Sequence, residues 1–303
     1  MKIVRINNES TINILEETSI CLGYFDGLHR GHSKLIERAK QSKYKTSLLT
    51  IELKNNLSIK RKQVITTIED KIEILSSLKV DYLFILEFNE KIKSYSPEEF
   101  IEKILLKLNP KEVIIGQDHH FGKDAKGDYK NLEAYSNIFK TIIVNDLLYL
   151  GKKIGTRDIV YFIENGKIDV ANKLLGRDYV IKGKVMKGYK VGRTYHFPTA
   201  NIPLGPYVKP KNGVYATMVE IDDKKYYGMS NVGIHPTINK LSEPLIETYI
   251  FDFNDDIYEK EIKVFIKHFI RDEIMFDSIE SLYSQLEKDK IKVEKFFSNK
   301  KLL

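Results

Sequence analysis

In the first half of this chain short apolar runs alternate with helical patterns. From about residue 180 strand patterns follow one another with no helix between them. Ser19 to Gly23 reads as a strand, Ser33 to Lys40 as a helix, Lys45 to Leu53 as a strand and Thr66 to Leu78 as a helix. Tyr82 to Phe88, Glu112 to Gly116 and Thr141 to Val144 read as further strands, with a helix over Pro97 to Leu108. Thr66 with Glu69 fits a capping box, and Ser96-Pro97-Glu98-Glu99 sets a capping serine, a first-turn proline and two carboxylates in order. This alternation predicts an α/β domain with a mostly parallel sheet. The later strands, Tyr179 to Met186, Gly213 to Ile221, Lys225 to Asn231, Leu245 to Phe253 and Glu261 to Phe269, predict a β-barrel or sandwich. A closing helix is expected near Asp277, capped with Glu280 and carrying Ile279, Leu282, Tyr283 and Leu286 on one face. Asp158 to Leu175 reads as two short helices split at Gly166, which sets the domains at residues 1–177 and 178–303.

A length of 303 residues suits two domains, each with its own core. The single cysteine, Cys21, excludes an internal disulfide and any multi-cysteine metal site. The excess of 49 Lys+Arg over 42 Asp+Glu, a net +7, is spread among acidic residues and reads as a solvated surface rather than a nucleic-acid groove. No run approaches the roughly 18 apolar residues of a membrane span and the N-terminus lacks a signal-peptide order, so the expectation is a cytoplasmic protein with no membrane partner.

Two strings carry chemistry. Gly23-Tyr24-Phe25-Asp26-Gly27-Leu28-His29-Arg30-Gly31-His32 lies between the first clear strand and its helix, where backbone N–H groups and a helix N-terminus can meet phosphate oxygens. His29 and His32 add donors suited to charge developing on an attacked α-phosphate; helix capping and metal ligation are the other readings of the pair. In the second half, Gly188 and Gly192 permit a tight flap, Arg193 supplies a charged donor, and Thr199 and Asn201 offer oxygens to a magnesium ion that keeps waters and substrate phosphates as its other ligands. A proline turn with Thr199 and Asn201 bonding local backbone is the alternative.

The first string resembles the G-x-F-D-G-x-H-x-G-H signature of the bacterial bifunctional riboflavin kinase/FMN adenylyltransferases, the prokaryotic FAD synthetases. Gly116 to Lys123 is similar to that family's G-x-D-F-x-F-G-K segment, with His119 in place of its first phenylalanine. Gly192 to Asn201 resembles the kinase signature G-R-x-x-G-x-P-T-A-N, with His196 at its second glycine. Gly213-Val214-Tyr215-Ala216, Asn231-Val232-Gly233 with Pro236-Thr237, and Arg271 to Phe276 resemble later segments.

The resemblance implies a nucleotidyltransferase-type, Rossmann-like first domain and a six-stranded riboflavin-kinase barrel with a covering helix. It implies riboflavin, FMN and ATP as substrates, Mg2+ as cofactor, and FMN and FAD as products. It makes Glu247 the base that takes the proton of the flavin 5′-hydroxyl, and His29 and His32 the adenylyl-transfer pair. Gly23, Phe25, Asp26 and Gly31 shape the nucleotide loop, Asp118 contacts the flavin or its ribityl chain, Phe276 closes over the flavin, and Arg193 and Arg271 are phosphate or flavin contacts.

Two strings depart from the family. Thr50 to Asn55 stands where it has T-F-x-P-H-P, and Ile154-Gly155-Thr156-Arg157-Asp158-Ile159-Val160 stands where it has I-S-S-T-x-I-R. Thr156 and Arg157 are the candidates to replace the lost phosphate donors. A kinase whose first domain only binds nucleotide, or a non-catalytic flavin- or nucleotide-binding regulator, are the alternatives. Glu259 replaces a family glycine and must either avoid positive φ or tolerate it.

Overall fold

Strands buried on both faces cannot alternate polar and apolar residues, and the inner strands of the first half do not. The structure is a computed structural model that describes residues 1–12, 14–53, 63–186, 197–234 and 244–300. The chain divides into two compact units. One comprises Met1–Lys62 and Thr66–Thr156, the other Gln63–Ile65 and Arg157–Leu303. The boundary expected near residue 177 therefore differs from this division. The two short helices before it, α6 (Thr156–Glu164) and α7 (Ile168–Leu175), fall almost wholly in the second unit, with Gly166 between them at φ 72°.

The first unit runs β1 (Lys2–Ile6), β2 (Thr18–Leu22), α1 (Arg30–Lys40), β3 (Lys45–Leu53), α2 (Ile68–Ser77), β4 (Tyr82–Phe88), α3 (Glu90–Lys93), α4 (Pro97–Phe100), β5 (Pro110–Gly116), α5 (Tyr129–Glu133) and β6 (Lys140–Val144), then a hairpin of β7 (Leu148–Tyr149) and β8 (Lys152–Lys153). Strands β1 to β6 form one parallel sheet in the order β1-β4-β3-β2-β5-β6. Alternate residues feed two cores: Ile20, Leu22, Phe84, Leu86, Val113 and Ile115 on one face, and Cys21, Leu83, Ile85 and Ile114 on the other. The expected Ser96 to Glu99 capping box starts α4, and the helical path then widens through a π turn (Ile101–Leu105) and tightens through a 3-10 turn (Leu106–Leu108). The α2 cap lies one residue later than expected: Thr67 and Asp70 form the box, because Thr66 is engaged by the loop after β2.

The second unit contains β9 (Tyr179–Lys184), β10 (Thr199–Pro203), β11 (Gly213–Ile221), β12 (Lys224–Ile234), β13 (Pro244–Ile250), β14 (Glu261–Arg271) and α8 (Ile279–Lys300). They form one antiparallel sheet in the order β10-β13-β12-β11-β14-β9. The sheet curls until its two ends meet, where Met186 N–H donates to the Asn201 carbonyl at 2.8 Å. Val214, Ala216, Met229 and Phe251 pack with Val293 and Phe297 of α8. On other positions of these strands a buried chain of hydroxyls links Thr217, Ser230 and Thr248 at 2.9 and 2.8 Å. Helix α8 is capped by Ser278, whose Oγ accepts from Ser281 N–H at 3.1 Å, rather than by the Asp277 and Glu280 pair expected from sequence.

Glu259 takes the second of its two options: it holds φ at 63°. A left-handed L-residue costs about 1–2 kcal/mol that glycine does not. Glu259→Gly is expected to raise stability by about 1 kcal/mol, read as a higher denaturant midpoint with unchanged m-value.

Candidate functional site

In an open parallel sheet ligands bind outside the carboxyl ends of the strands, where the strand order reverses. Here that place is between β2 and β5, since the chain leaves β2 for β3 on one side and later returns as β5 on the other. The loop 23–29 follows β2 and the segment 117–122 follows β5, so both sequence strings of the first unit stand at this reversal.

The loop after β2 is strained and tightly held. Phe25, Gly27 and Leu28 have φ of 52°, 77° and 38°, a concentration of left-handed backbone that persists only where surrounding contacts fix it. Those contacts come from a buried carboxylate: Asp26 Oδ1 accepts from Thr66 N–H at 3.0 Å, and Thr66 Oγ1 accepts from Gly27 N–H at 2.9 Å. Thr156, the last residue of this unit, donates through Oγ1 to the Asp26 carbonyl at 3.4 Å. His29 is 5% exposed and stacks on His32 with centroids 3.6 Å apart; the His32 ring meets Phe25 edge-on at 5.1 Å. Gly31 makes this possible, because a Cβ there would sit 3.0 Å from the His29 ring. Phe25, Asp26, His29, Gly31, His32 and Thr156, six residues chosen from sequence, thus form one assembly, with Gly23 at its entrance. Arg157 is exposed in the first turn of α6.

After β5, Asp118 pairs with Lys153 at 2.6 Å, and Lys153 also reaches Asp146 at 2.9 Å. The hydrogen bond from Lys153 holds the Asp118 carboxyl below its usual range. His119 shows why an imidazole can stand where the family has phenylalanine. Burial, reinforced by His120 and opposed by Asp118, lowers its pKa to about 4, so it is neutral at ordinary pH and lies nearly parallel to Phe121, 6.0 Å between centroids. No local pattern in the sequence marks Lys153 or the inward turn of Thr66; only tertiary packing brings them here.

In the second unit, register does the assembling. Asn201 on β10 is directly opposite Glu247 on β13, and Glu247 is directly opposite Asn231 on β12. The three side chains therefore occupy one row on one face of the sheet, and Thr199, two residues before Asn201, shares that face. Asn201 is 5% exposed and its Oδ1, a buried oxygen, accepts no hydrogen bond from any described residue. Phe197 packs beside this row on Tyr249 and on Tyr283 of α8, at 4.8 and 5.9 Å. Arg271 is anchored by its own unit: its Nε donates to the fully buried Asp289 of α8 at 2.7 Å, and its guanidinium lies 5.9 Å from the Phe276 ring. Gly188, Gly192 and Arg193, with Pro236 and Thr237, lie outside the described residues.

Each of the two family models falls largely within one unit, with α6 and α7 mostly between them. One described as FAD synthetase matches residues 11–157, and one described as riboflavin kinase matches residues 175–297. Two bifunctional riboflavin kinase/FMN adenylyltransferases are among the relatives. That of Buchnera aphidicola subsp. Schizaphis graminum is 38% identical over 98% of this chain and 99% of its own. That of Bacillus subtilis is 37% identical over 92% of each. The chain is also similar to a crystal structure of a macrolide-efflux protein from Streptococcus pneumoniae, with TM-score 0.88 and 30% identity over 96% of this chain and 98% of that one. In this chain no helix among the described residues is long and apolar enough to cross a membrane. Both units thus belong to flavin-nucleotide enzymes, an FAD synthetase domain followed by a riboflavin kinase domain. The chain belongs to the bifunctional riboflavin kinase/FMN adenylyltransferase family.

Proposed function

We infer that this chain makes FAD from riboflavin in two reactions at two sites. In the second unit the 5′-hydroxyl of riboflavin attacks the γ-phosphate of ATP, giving FMN and ADP. In the first, a phosphate oxygen of FMN attacks the α-phosphate of a second ATP, giving FAD and pyrophosphate.

The observation that carries the kinase reading is the row of Asn201, Glu247 and Asn231. Phosphoryl transfer needs alignment, charge neutralisation and an acceptor for the hydroxyl proton. Glu247 is the acceptor, orienting the attacking oxygen as it takes the proton. Asn201 and Thr199 fit a magnesium ion: a buried amide oxygen with no partner among the described residues, beside a hydroxyl, is the sparse oxygen set that such an ion accepts when phosphates and water complete its shell. Bound there, the ion would neutralise charge on the transferring phosphates. Arg193, Gly188 and Gly192 are the flap residues of this reading. Arg271 and Phe276 cover the flavin, with Asp289 orienting the guanidinium.

For adenylyl transfer, the assembly at the β2/β5 reversal supports a nucleotidyltransferase-type, Rossmann-like fold. His29 and His32 donate to the α-phosphate as negative charge grows on it. Gly23, Phe25, Asp26 and Gly31 form the nucleotide loop, and Asp118 contacts the flavin or its ribityl chain. Arg157, and Thr156 once its hydroxyl turns from the Asp26 carbonyl to the phosphate, serve as the phosphate donors that the changed string would otherwise lack. Pyrophosphate release on adding FMN and ATP, with no riboflavin present, is the test. Its absence, with riboflavin phosphorylation intact, would leave only the kinase.

A further inference from the structure

Helix α2 carries a single lysine, and that lysine does not face water: Lys71 is 3% exposed. Its Nζ donates to the Tyr24 carbonyl at 2.7 Å and to Thr50 Oγ1 at 3.2 Å, while Thr50 Oγ1 itself donates to the same carbonyl at 2.8 Å. The ammonium also lies 4.6 Å from the centroid of the Tyr24 ring. Two carboxylates face it, Asp26 of the loop and Glu52 of β3, the latter paired with Arg5. Tyr24 immediately precedes the left-handed Phe25, and Asp26 on its other side is bound to Thr66. The strained loop is thus clasped twice, by Thr66 at residues 26 and 27 and by the Lys71–Thr50 pair at residue 24. Burying an ammonium is costly, and an apolar side chain would fill the space without that cost.

We propose that Lys71 is a positioning residue for adenylyl transfer, its buried ammonium fixing the Tyr24 carbonyl and so the backbone that carries Phe25, Asp26 and the histidine pair. The proposal rests on the reading of this loop as the adenylyl site. Burial outweighs the attraction of Asp26 and Glu52 and lowers the lysine pKa from 10.5 to about 8. The clasp is therefore complete below about pH 8 and loses its charge above it. The sign for stability is opposite. The folded state favours the neutral amine, so this group's contribution to stability rises between about pH 8 and 10.5, and an alkaline fall in rate is not unfolding.

The test is FAD formation from supplied FMN, ATP and magnesium across pH 6.5 to 9.5, with riboflavin phosphorylation by the same protein as the control for folding. The wild-type rate is expected to fall above about pH 8. Lys71→Met should lower kcat by roughly 10- to 100-fold near pH 7, leave the kinase rate unchanged and abolish that alkaline limb. Lys71→Arg, whose guanidinium does not titrate in this range, should recover part of the rate and also lack the limb; a purely space-filling role would leave the limb in place. If Lys71→Met fails to fold, Thr50→Val, which removes the hydroxyl from the clasp, should lower kcat in its stead. Wild-type rate and limb in the Lys71 variants would overturn the proposal and leave the adenylyl reading standing. No FAD from the wild-type protein at any pH would overturn the reading itself, and the proposal with it.

Discussion

His29→Ala is expected to lower FAD formation from FMN by about 10²- to 10³-fold while riboflavin phosphorylation continues at the wild-type rate. The asymmetry follows from where the residue sits. His29 is held between Gly31 and the stacked His32 in the first unit, whereas Glu247, Asn201 and Asn231 lie on the sheet of the second. A donor aimed at an α-phosphate acts on charge that appears only in the transition state, so the loss should fall on kcat more than on the KM for ATP. The kinase rate of the same preparation serves as an internal measure of folding. An undiminished FAD rate in both His29→Ala and His32→Ala would remove the pair from the chemistry and leave it a stacked helix start.

The converse substitution is Glu247→Gln. It keeps the side chain's size and its place opposite Asn201 and Asn231 but removes the proton acceptor. FMN formation is expected to fall by about 10²- to 10⁴-fold, the range typical of a lost general base, while supplied FMN is still converted to FAD. Rate constants for the two half-reactions, measured separately on one preparation, decide it. Loss of both in a folded variant would contradict two separate sites, and loss of neither would make Glu247 a strand residue that only pairs with its neighbours.

Much of this architecture is legible in the sequence because burial dictates periodicity. Strands β2, β3 and β4 are apolar runs of the right length, and the long antiparallel strands β11 to β14 lie between turn residues. Besides the two-residue strands β7 and β8, two strands escape such reading. Strand β1, at the edge of its sheet, buries only Ile6 fully. Strand β10 reads Thr-Ala-Asn-Ile-Pro, a turn-like composition, with its proline confined to the last position, opposite Leu245 of β13.

The loop after β2 was visible as a glycine-rich string, but its clasp was not. Thr66 looks like a helix cap and Lys71 like one more solvated lysine until the packing of α2 on the sheet turns both inward. Likewise Asn201, Glu247 and Asn231 are far apart in sequence, and only the antiparallel register of β10, β13 and β12 sets them in a row. The burial of Asp289 beneath Arg271 carries no local signal at all, because it depends on how α8 crosses the sheet.

The most direct measurement incubates the purified protein with ATP, magnesium and either riboflavin or FMN, and separates the flavins by chromatography over time. FMN that rises and then yields FAD from riboflavin, together with FAD from supplied FMN, is the predicted result, with Thr156 and Arg157 serving in place of the missing donors. FMN alone from riboflavin, with supplied FMN unchanged, would contradict the account and leave the first unit without its chemistry.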